Sequence, residues 1–446
     1  MTRPTVSIQA AIGPSTTVGK FVIGTSLIGS TAVIGGREIV GQGVWVELGQ
    51  VCSQLSVRRG RQRLLEQYPA GTCSAAFDDA NGYLNPALDG GPYSEGDRTL
   101  RDQNGVQLTD ENGNPLNIGE SGVSTIRPMR AISVVLTHAG IDYPRYYGFS
   151  DYWNPQPAYP EGGVVVMGAT DAFKIFTRIN PFEQAFVGDG EDTGARLNRI
   201  LDLADWSTPN RDIDTGDNTH QSTNLAQPIA TQMRLASDSE RGDLYIDGRG
   251  YPTFRRRLSR YAAFRSRTSQ WTIGDGDGEF NPSAWNITND DDLVRNDVNL
   301  ARIGGSIINR RNAVAEISYL RSTYTRTDLT LDDDAQVTEQ AEDILFLFAE
   351  QTPRVDFVEF EPDGIDDDNL WAMVCGAVFG DRVTVNLRHP TGTLFTGDYF
   401  IEGIEDDLVP VGSLWRTRFQ LADASQFPTN VFIIGVSRIG GTDVLV

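Results

Sequence analysis

The chain has 446 residues, 39% hydrophobic and 22% charged, a balance that excludes wholesale disorder and a length that calls for two to four compact units. With 38 basic and 60 acidic residues its net charge is −22, which argues against binding nucleic acid through the phosphate backbone. That acidity suits an ordinary soluble protein, or the wall of a conduit along which a polyanion slides without sticking.

Glycine (46) and proline (21) are plentiful and long helix-forming blocks are scarce, so mostly β structure with many turns is expected. Cys52, Cys73 and Cys375 are odd in number and widely spaced. Neither a disulfide framework nor a zinc site follows, and they read as reduced core residues. The opening Met1-Thr2-Arg3-Pro4 lacks the apolar region of a signal peptide. No apolar run approaches the roughly 18 residues that span a bilayer, so stable membrane insertion is not expected.

Residues 1–54 read as an N-terminal arm with a β segment. Within it, residues 21–33 align with residues 432–444, with Phe21, Ile23, Gly24, Ser26, Ile28, Gly29, Thr31 and Val33 matching Phe432, Ile434, Gly435, Ser437, Ile439, Gly440, Thr442 and Val444. Two similar hairpins in a Gly/Ile-rich chain would account for this. Alternatively, one chain presents the same element twice, which suits a threefold assembly facing a sixfold neighbour. The apolar ends predict docking onto neighbours, with Phe21, Ile23, Ile28, Phe432, Ile434 and Ile439 as interface candidates.

Residues 55–178 alternate apolar and polar residues as strands do. Ile132–His138 has a counterpart in Val383–His389; Tyr147-Gly148-Phe149-Ser150-Asp151 has one in Glu402-Gly403-Ile404-Glu405-Asp406; closing strands end near Asp171 and Asp423. Two related β-barrel or sandwich halves follow, separated by an insertion. Residues 88–122 and 361–369, rich in Gly, Asn and Asp, read as loops.

The insertion, residues 179–320, reads as an α+β module. A helix is capped near Asp192-Thr193 and carries Leu197, Ile200 and Leu201 on one face; a second follows Pro228. Asp247-Gly248-Arg249-Gly250 joins a hairpin. Residues 321–424 begin with a helix capped by Asp334 or Thr338 and continue into the second barrel; residues 425–446 form a C-terminal arm.

Chemistry finds little support. His138 and His389 hold matching repeat positions, and His220 follows Asp212, Asp214 and Asp217 without a second converging set of ligands. Asp275-Gly276-Asp277-Gly278-Glu279 alternates oxygen ligands but lacks the rest of a calcium loop. Hydrolase and phosphate-loop motifs are missing. The expectation is no enzyme, no cofactor and no metal site. Two arginine clusters, Arg58, Arg59, Arg61, Arg63 and Arg255-Arg256-Arg257, fit either alternate exposure on strands or contact with an acidic neighbouring subunit. Arg58 and Arg59 are the interface candidates among them. Tyr146, Tyr147, Tyr152, Trp153 and Tyr159 could line a carbohydrate cleft, although aromatics in strands are more often core.

One signature points further. Gly71-Thr72-Cys73-Ser74-Ala75-Ala76-Phe77-Asp78-Asp79-Ala80-Asn81-Gly82-Tyr83-Leu84-Asn85-Pro86 resembles the strand-turn motif of minor tail proteins from siphophages of actinobacteria. Here Asp79 is not followed by the usual basic residue, and Asn85 replaces an aspartate. Ile126-Arg127-Pro128, Tyr146–Trp153, Gly168–Lys174, Arg199–Trp206, Arg211–Asp214 and Ala236–Gly242 follow in the family's order, so the similarity runs over roughly residues 55–424.

The resemblance implies a mainly β fold with an α+β insertion and two related, tube-like β-barrel domains, as in phage tail hub proteins. It implies a homotrimeric baseplate hub in the virion's tail tip, made in the host cytoplasm. The implied ring continues the tail tube and anchors distal tip proteins. Implied partners are the distal tail protein or tail tube above, central fibre or tip proteins below, and the tape measure protein; the genome passes through the bore without specific binding. A receptor- or carbohydrate-binding tip module is the alternative.

Overall fold

The computed structural model describes residues 3–13, 44–87, 92–93, 124–157, 163–365, 367–389 and 391–427. The interface candidates Phe21, Ile23, Ile28, Phe432, Ile434 and Ile439, with Tyr159 and most of the 88–122 segment, lie outside the described residues.

Strand outweighs helix, 43% to 21%, and thirteen strands join one sheet. From the first half of the chain come β1 (Thr5–Gly13), β2 (Val44–Glu47), β3 (Cys52–Gly60), β4 (Thr72–Asp78), β5 (Ala131–His138), β6 (Ile141–Pro157) and β7 (Gly163–Thr170). From the second come β8 (Ser269–Gly274), β9 (Ala284–Thr288), β10 (Arg354–Phe360), β11 (Arg382–Arg388), β12 (Leu394–Leu408) and β13 (Trp415–Asp423). Period-two alternation explains their faces: β5 buries Ile132, Val134 and Leu136, and β11 buries Val383, Val385 and Leu387.

The sheet contains two units of one topology. The first runs β1-β5-β6-β7-β4-β3, with β2 outside β1, and the second runs β8-β11-β12-β13-β10-β9. With β2 set aside, both units read first, fourth, fifth, sixth, third, second in chain order. They differ where their first strand docks: β1 meets β5 antiparallel, whereas β8 meets β11 parallel. Strand pairing between β12 and β3 joins the units. Among the described residues the sheet is open at β2, β8 and β9, so the two units lie in one continuous sheet and neither closes into the expected barrel.

Local signals placed the insertion's elements well. Helix α1 (Thr193–Leu203) starts where the Asp192 carboxylate accepts from Ala195 N at 2.8 Å, and α2 (Ile229–Glu240) follows Pro228. Both pack Leu197, Ile200, Leu201 and Met233 against Phe254 of the Asp243–Ile246/Pro252–Arg255 hairpin. A third cluster unites Val298 and Leu300 with Val337, Ala341 and Ile344 of α3 (Asp334–Phe348).

Three expectations change. The cap of α3 is Asp333, which accepts from Gln336 N at 2.8 Å, in place of Asp334 or Thr338. The expected loop over 361–369 ends two residues early, because Asp367 accepts from Asn369 N and caps α4 (Asp368–Gly376); side chains that compete for backbone in turns are also those that cap helices. Strands β8 and β9, grouped by sequence with the insertion, pair with β11 and β10 of the second unit. Helix α4 buries Leu370, Trp371, Met373 and Val374 in the sheet's own core, where the Trp371 and Trp415 rings cross at 78° with centroids 5.0 Å apart.

Candidate functional site: the joint between the two units

Strand β12 changes partner along one edge. Leu394–Phe400 pairs with β11; Gly403–Leu408 then pairs with β3 in the order Gly403–Gly60, Ile404–Arg59, Glu405–Arg58, Asp406–Val57, Asp407–Ser56 and Leu408–Leu55. The backbones meet closely where β3 ends. Gly60 has φ +96°, and a Cβ there would sit 2.3 Å from the Glu402 carbonyl oxygen and 2.4 Å from Gly403 Cα. Only glycine fits this conformation and this space.

The register against β13 slips between Ile401 and Gly403, so Glu402 sits at a bulge with its side chain fully buried. Its carboxylate accepts from Arg61 Nε (2.8 Å), Arg260 Nη1 (2.6 Å) and the Tyr68 hydroxyl (2.7 Å). Asp243 accepts from Arg61 Nη2 and Arg260 Nη2, both at 2.7 Å. Two carboxylates thus meet two guanidiniums with no residual charge. The first unit supplies Arg61 and Tyr68, the second Glu402, and the insertion Asp243 and Arg260. Burial alone would raise the Glu402 carboxyl, but Arg260 and Arg61 outweigh it and hold the group well below the usual carboxylate range.

A second buried pair crosses the joint. Arg145 of β6 donates from Nη2 to Asp406 Oδ1 at 3.0 Å, and the Thr417 hydroxyl donates to the same oxygen at 2.6 Å. Hydrogen-bonded charges of this kind specify one docking geometry more than they add stability. The constellation can hold parts together; it offers no exposed nucleophile.

Arg58 and Arg59, expected from the sequence at a contact with a neighbouring subunit, lie on β3 at this joint within the chain. Arg58 is exposed and stands across from Glu405. Arg59 lies over the Phe379 ring at 5.3 Å; burial first, then Arg145, lowers its pKa to about 10. Arg255, Arg256 and Arg257 pair within the chain, with Asp212 (2.7 Å), Asp217 (3.0 Å) and Glu339 (2.5 Å) respectively. Glu402 and Asp406 were read only as part of a repeated strand. Acidic residues between the core positions Ile401, Ile404 and Leu408 were the available signal, since an acid in a buried strand implies a partner.

The remaining candidates disperse. His220 is buried, with Nε2 2.8 Å from the Thr193 hydroxyl and Nδ1 2.8 Å from that of Thr330. His138 lies in the core, 3.9 Å from Asp368, while His389 contacts Thr391 at the surface. In the Asp275–Glu279 turn, Glu279 accepts from Gly276 N and from Asn386, and Asp275 pairs with Arg388. Among the described residues no group of three or more His, Cys, Asp or Glu side chains could hold a metal ion. Tyr146 and Trp153 are core residues, and Tyr152 is exposed.

No protein-family model matches the sequence, and a search of curated proteins returns no match. Solved structures do match. The tail protein from Neisseria meningitidis MC58 aligns with a TM-score of 0.54 at 11% identity, covering 96% of this chain and 98% of its own. The 43 kDa tail protein of prophage MuSo2 from Shewanella oneidensis aligns at 0.48 and 10%, covering 86% and 97%. An Escherichia coli component of the type VI secretion system aligns at 0.43 and 6%, covering 85% and 75%. At these identities the likeness concerns fold: the chain has, almost end to end, the fold of the Neisseria tail protein.

Proposed function

We propose that the chain is a structural protein of a phage tail tip, a baseplate hub or minor tail protein whose ring continues the tail tube and anchors distal tip proteins. The observation that carries this reading is the repeated unit: one chain presents two units of identical strand order in one sheet, joined by strand pairing between β12 and β3. A trimer of such chains offers six similar units, the arrangement needed to pass from a threefold tip to a sixfold tube. The end-to-end likeness to a tail protein's fold supports it. The net charge of −22 suits a bore that lets DNA pass without counterion-releasing contacts.

In this reading residues 55–178 and 321–424, with β8 and β9, are the tube-like parts, residues 179–320 otherwise decorate them, and residues 1–54 and 425–446 dock onto neighbours. Arg58 and Arg59 contribute to subunit contacts. The actinobacterial siphophage resemblance makes distal tail, tape measure and fibre proteins the partners, in a virion made in the host cytoplasm. The carbohydrate-binding alternative loses its main feature, because Tyr146 and Trp153 are committed to the core.

Native mass measurement and negative-stain imaging of the purified chain test the proposal. A trimeric ring with a central opening is the expected result; a monomer at every concentration would overturn the ring.

A further inference from the structure

The two units correspond residue by residue along their fifth strands. The pair Ala131–Phe149 matches Arg382–Phe400, and the bulge at Asp151 matches that at Glu402, four residues from the match with Asp406 expected from the sequence. Residues 152–157 of β6 are therefore the counterparts of residues 403–408 of β12. The second strands correspond too: Leu55 and Ser56 face Ala75 and Ser74 as Trp285 and Asn286 face Val358 and Phe357. Within the chain the fifth strand of unit two grips the second strand of unit one. The complementary edges, β6 beyond Asp151 and the outer side of β9, have no strand partner among the described residues.

We propose that these two edges meet between copies: β6 residues 152–157 of one chain pair antiparallel with β9 of the next, repeating the β12–β3 joint across the subunit boundary. The inference rests on the ring reading above and names its contact. Applying the internal register places Gln156 opposite the next copy's Asn286, as Asp407 stands opposite Ser56, and Asn154 opposite its Ile287, as Glu405 stands opposite Arg58.

Composition supports this pairing. Edge strands are usually blunted with charge, yet Ala284-Trp285-Asn286-Ile287-Thr288 carries no charge and no proline, while Trp285 and Ile287 already pack inward on the core. Facing it, Tyr152-Trp153-Asn154-Pro155-Gln156-Pro157 is also uncharged. Asp406 of the buried Arg145–Asp406 pair corresponds to Pro155, and Arg145, the residue skipped where β6 slips against β5, has no counterpart in β12, so the subunit contact buries no equivalent ion pair. Pro155 and Pro157 bring no N–H to the edge, so the contact draws most of its donors from β9 and is weaker than the internal joint. Because the two edges differ, the contact is head-to-tail, the kind that closes rings.

The test uses the full chain carrying Asn286→Cys with Gln156→Cys. The native cysteines are buried, and Ser56→Cys with Asp407→Cys serves as the internal equivalent. Under oxidation, non-reducing electrophoresis should give covalent dimers and trimers for the first pair and only intrachain closure for the second. A separate variant, Asn286→Lys, which puts a charge at the exposed position of β9, should shift the native mass to monomer while its circular dichroism stays that of the parent. If the parent is oligomeric but the first pair does not cross-link and Asn286→Lys still assembles, the contact is wrong and the ring stands. If the parent is monomeric throughout, the ring falls and the contact falls with it.

Discussion

Asp151 and Glu402 are the same position in two copies of one motif: each is the residue skipped where the fifth strand of its unit slips one place against the sixth. Their surroundings differ because β12 goes on to pair with β3, whereas β6 beyond Asp151 has no strand partner on that side among the described residues. Asp151 pairs with Lys174 at 2.6 Å and its side chain remains 34% exposed, whereas Glu402 is sealed between Arg61 and Arg260.

That contrast predicts unequal costs. Glu402→Gln leaves two buried guanidiniums sharing Asp243 and should cost about 3–5 kcal/mol. Asp151→Asn breaks a partly solvated pair and should cost about 0.2–1 kcal/mol. Urea unfolding of both variants decides; equal losses would mean that the ionic cluster does not hold the joint.

The parts legible in the sequence were those fixed by neighbours in the chain. Asp192 before Leu197 and Ile200 announces a cap and an apolar face, and the Ile132–His138 and Val383–His389 alternations announce matching strands. The β12–β3 joint was not legible, because Gly403 and Gly60 carry no mark of their partner and lie far apart in sequence. The Arg61–Glu402–Arg260 cluster was hidden for the same reason. Arg61 looked like one of a surface run, and only the fold buries it.

Gly60→Ala should damage the joint specifically. A Cβ at φ +96° would strain the backbone by about 1–3 kcal/mol and would also collide with Glu402 and Gly403 backbone. Gly82→Ala is the control: its φ is +70°, with nothing within 4 Å of the added carbon, so it carries the strain alone. Thermal unfolding should rank Gly60→Ala well below Gly82→Ala. Matching melting temperatures would show that the strands can part there without cost.

His220 should make the fold acid-sensitive. Burial, then the nearby Arg196, lowers its pKa to about 3, against about 6.5 in an unfolded chain. Between those values the unfolded chain binds a proton that the folded chain refuses. The stability is intact above about pH 6.5 and drains away as pH falls toward 3, by at most about 1.4 kcal/mol per pH unit. His220→Gln, which retains a donor and an acceptor for Thr193 and Thr330, should remove that slope. Unfolding free energies of parent and variant between about pH 7 and pH 5 measure it, and parallel profiles would rule the residue out.

Asp171 acts with the opposite sign. Its carboxylate accepts from the Gly71 and Phe173 backbone amides, and Arg234 and Arg59 also favour its charge, yet burial prevails and pushes the pKa up to about 7. An unfolded aspartate titrates near 3.9, so between those values the folded chain holds a proton that the unfolded chain releases. This contribution is complete below about pH 3.9 and is lost as pH rises through 7. Glu240, also raised by burial, adds to the same trend. Over most of the acid range the slopes of Asp171 and His220 therefore oppose each other, and a flat parent profile conceals two large terms. Asp171→Asn should expose the histidine: relative to the parent, the variant should lose most stability near pH 4 and recover progressively toward pH 8. A deficit that stayed constant with pH would show that Asp171 is already ionised in the folded chain, its burial compensated by the two amides.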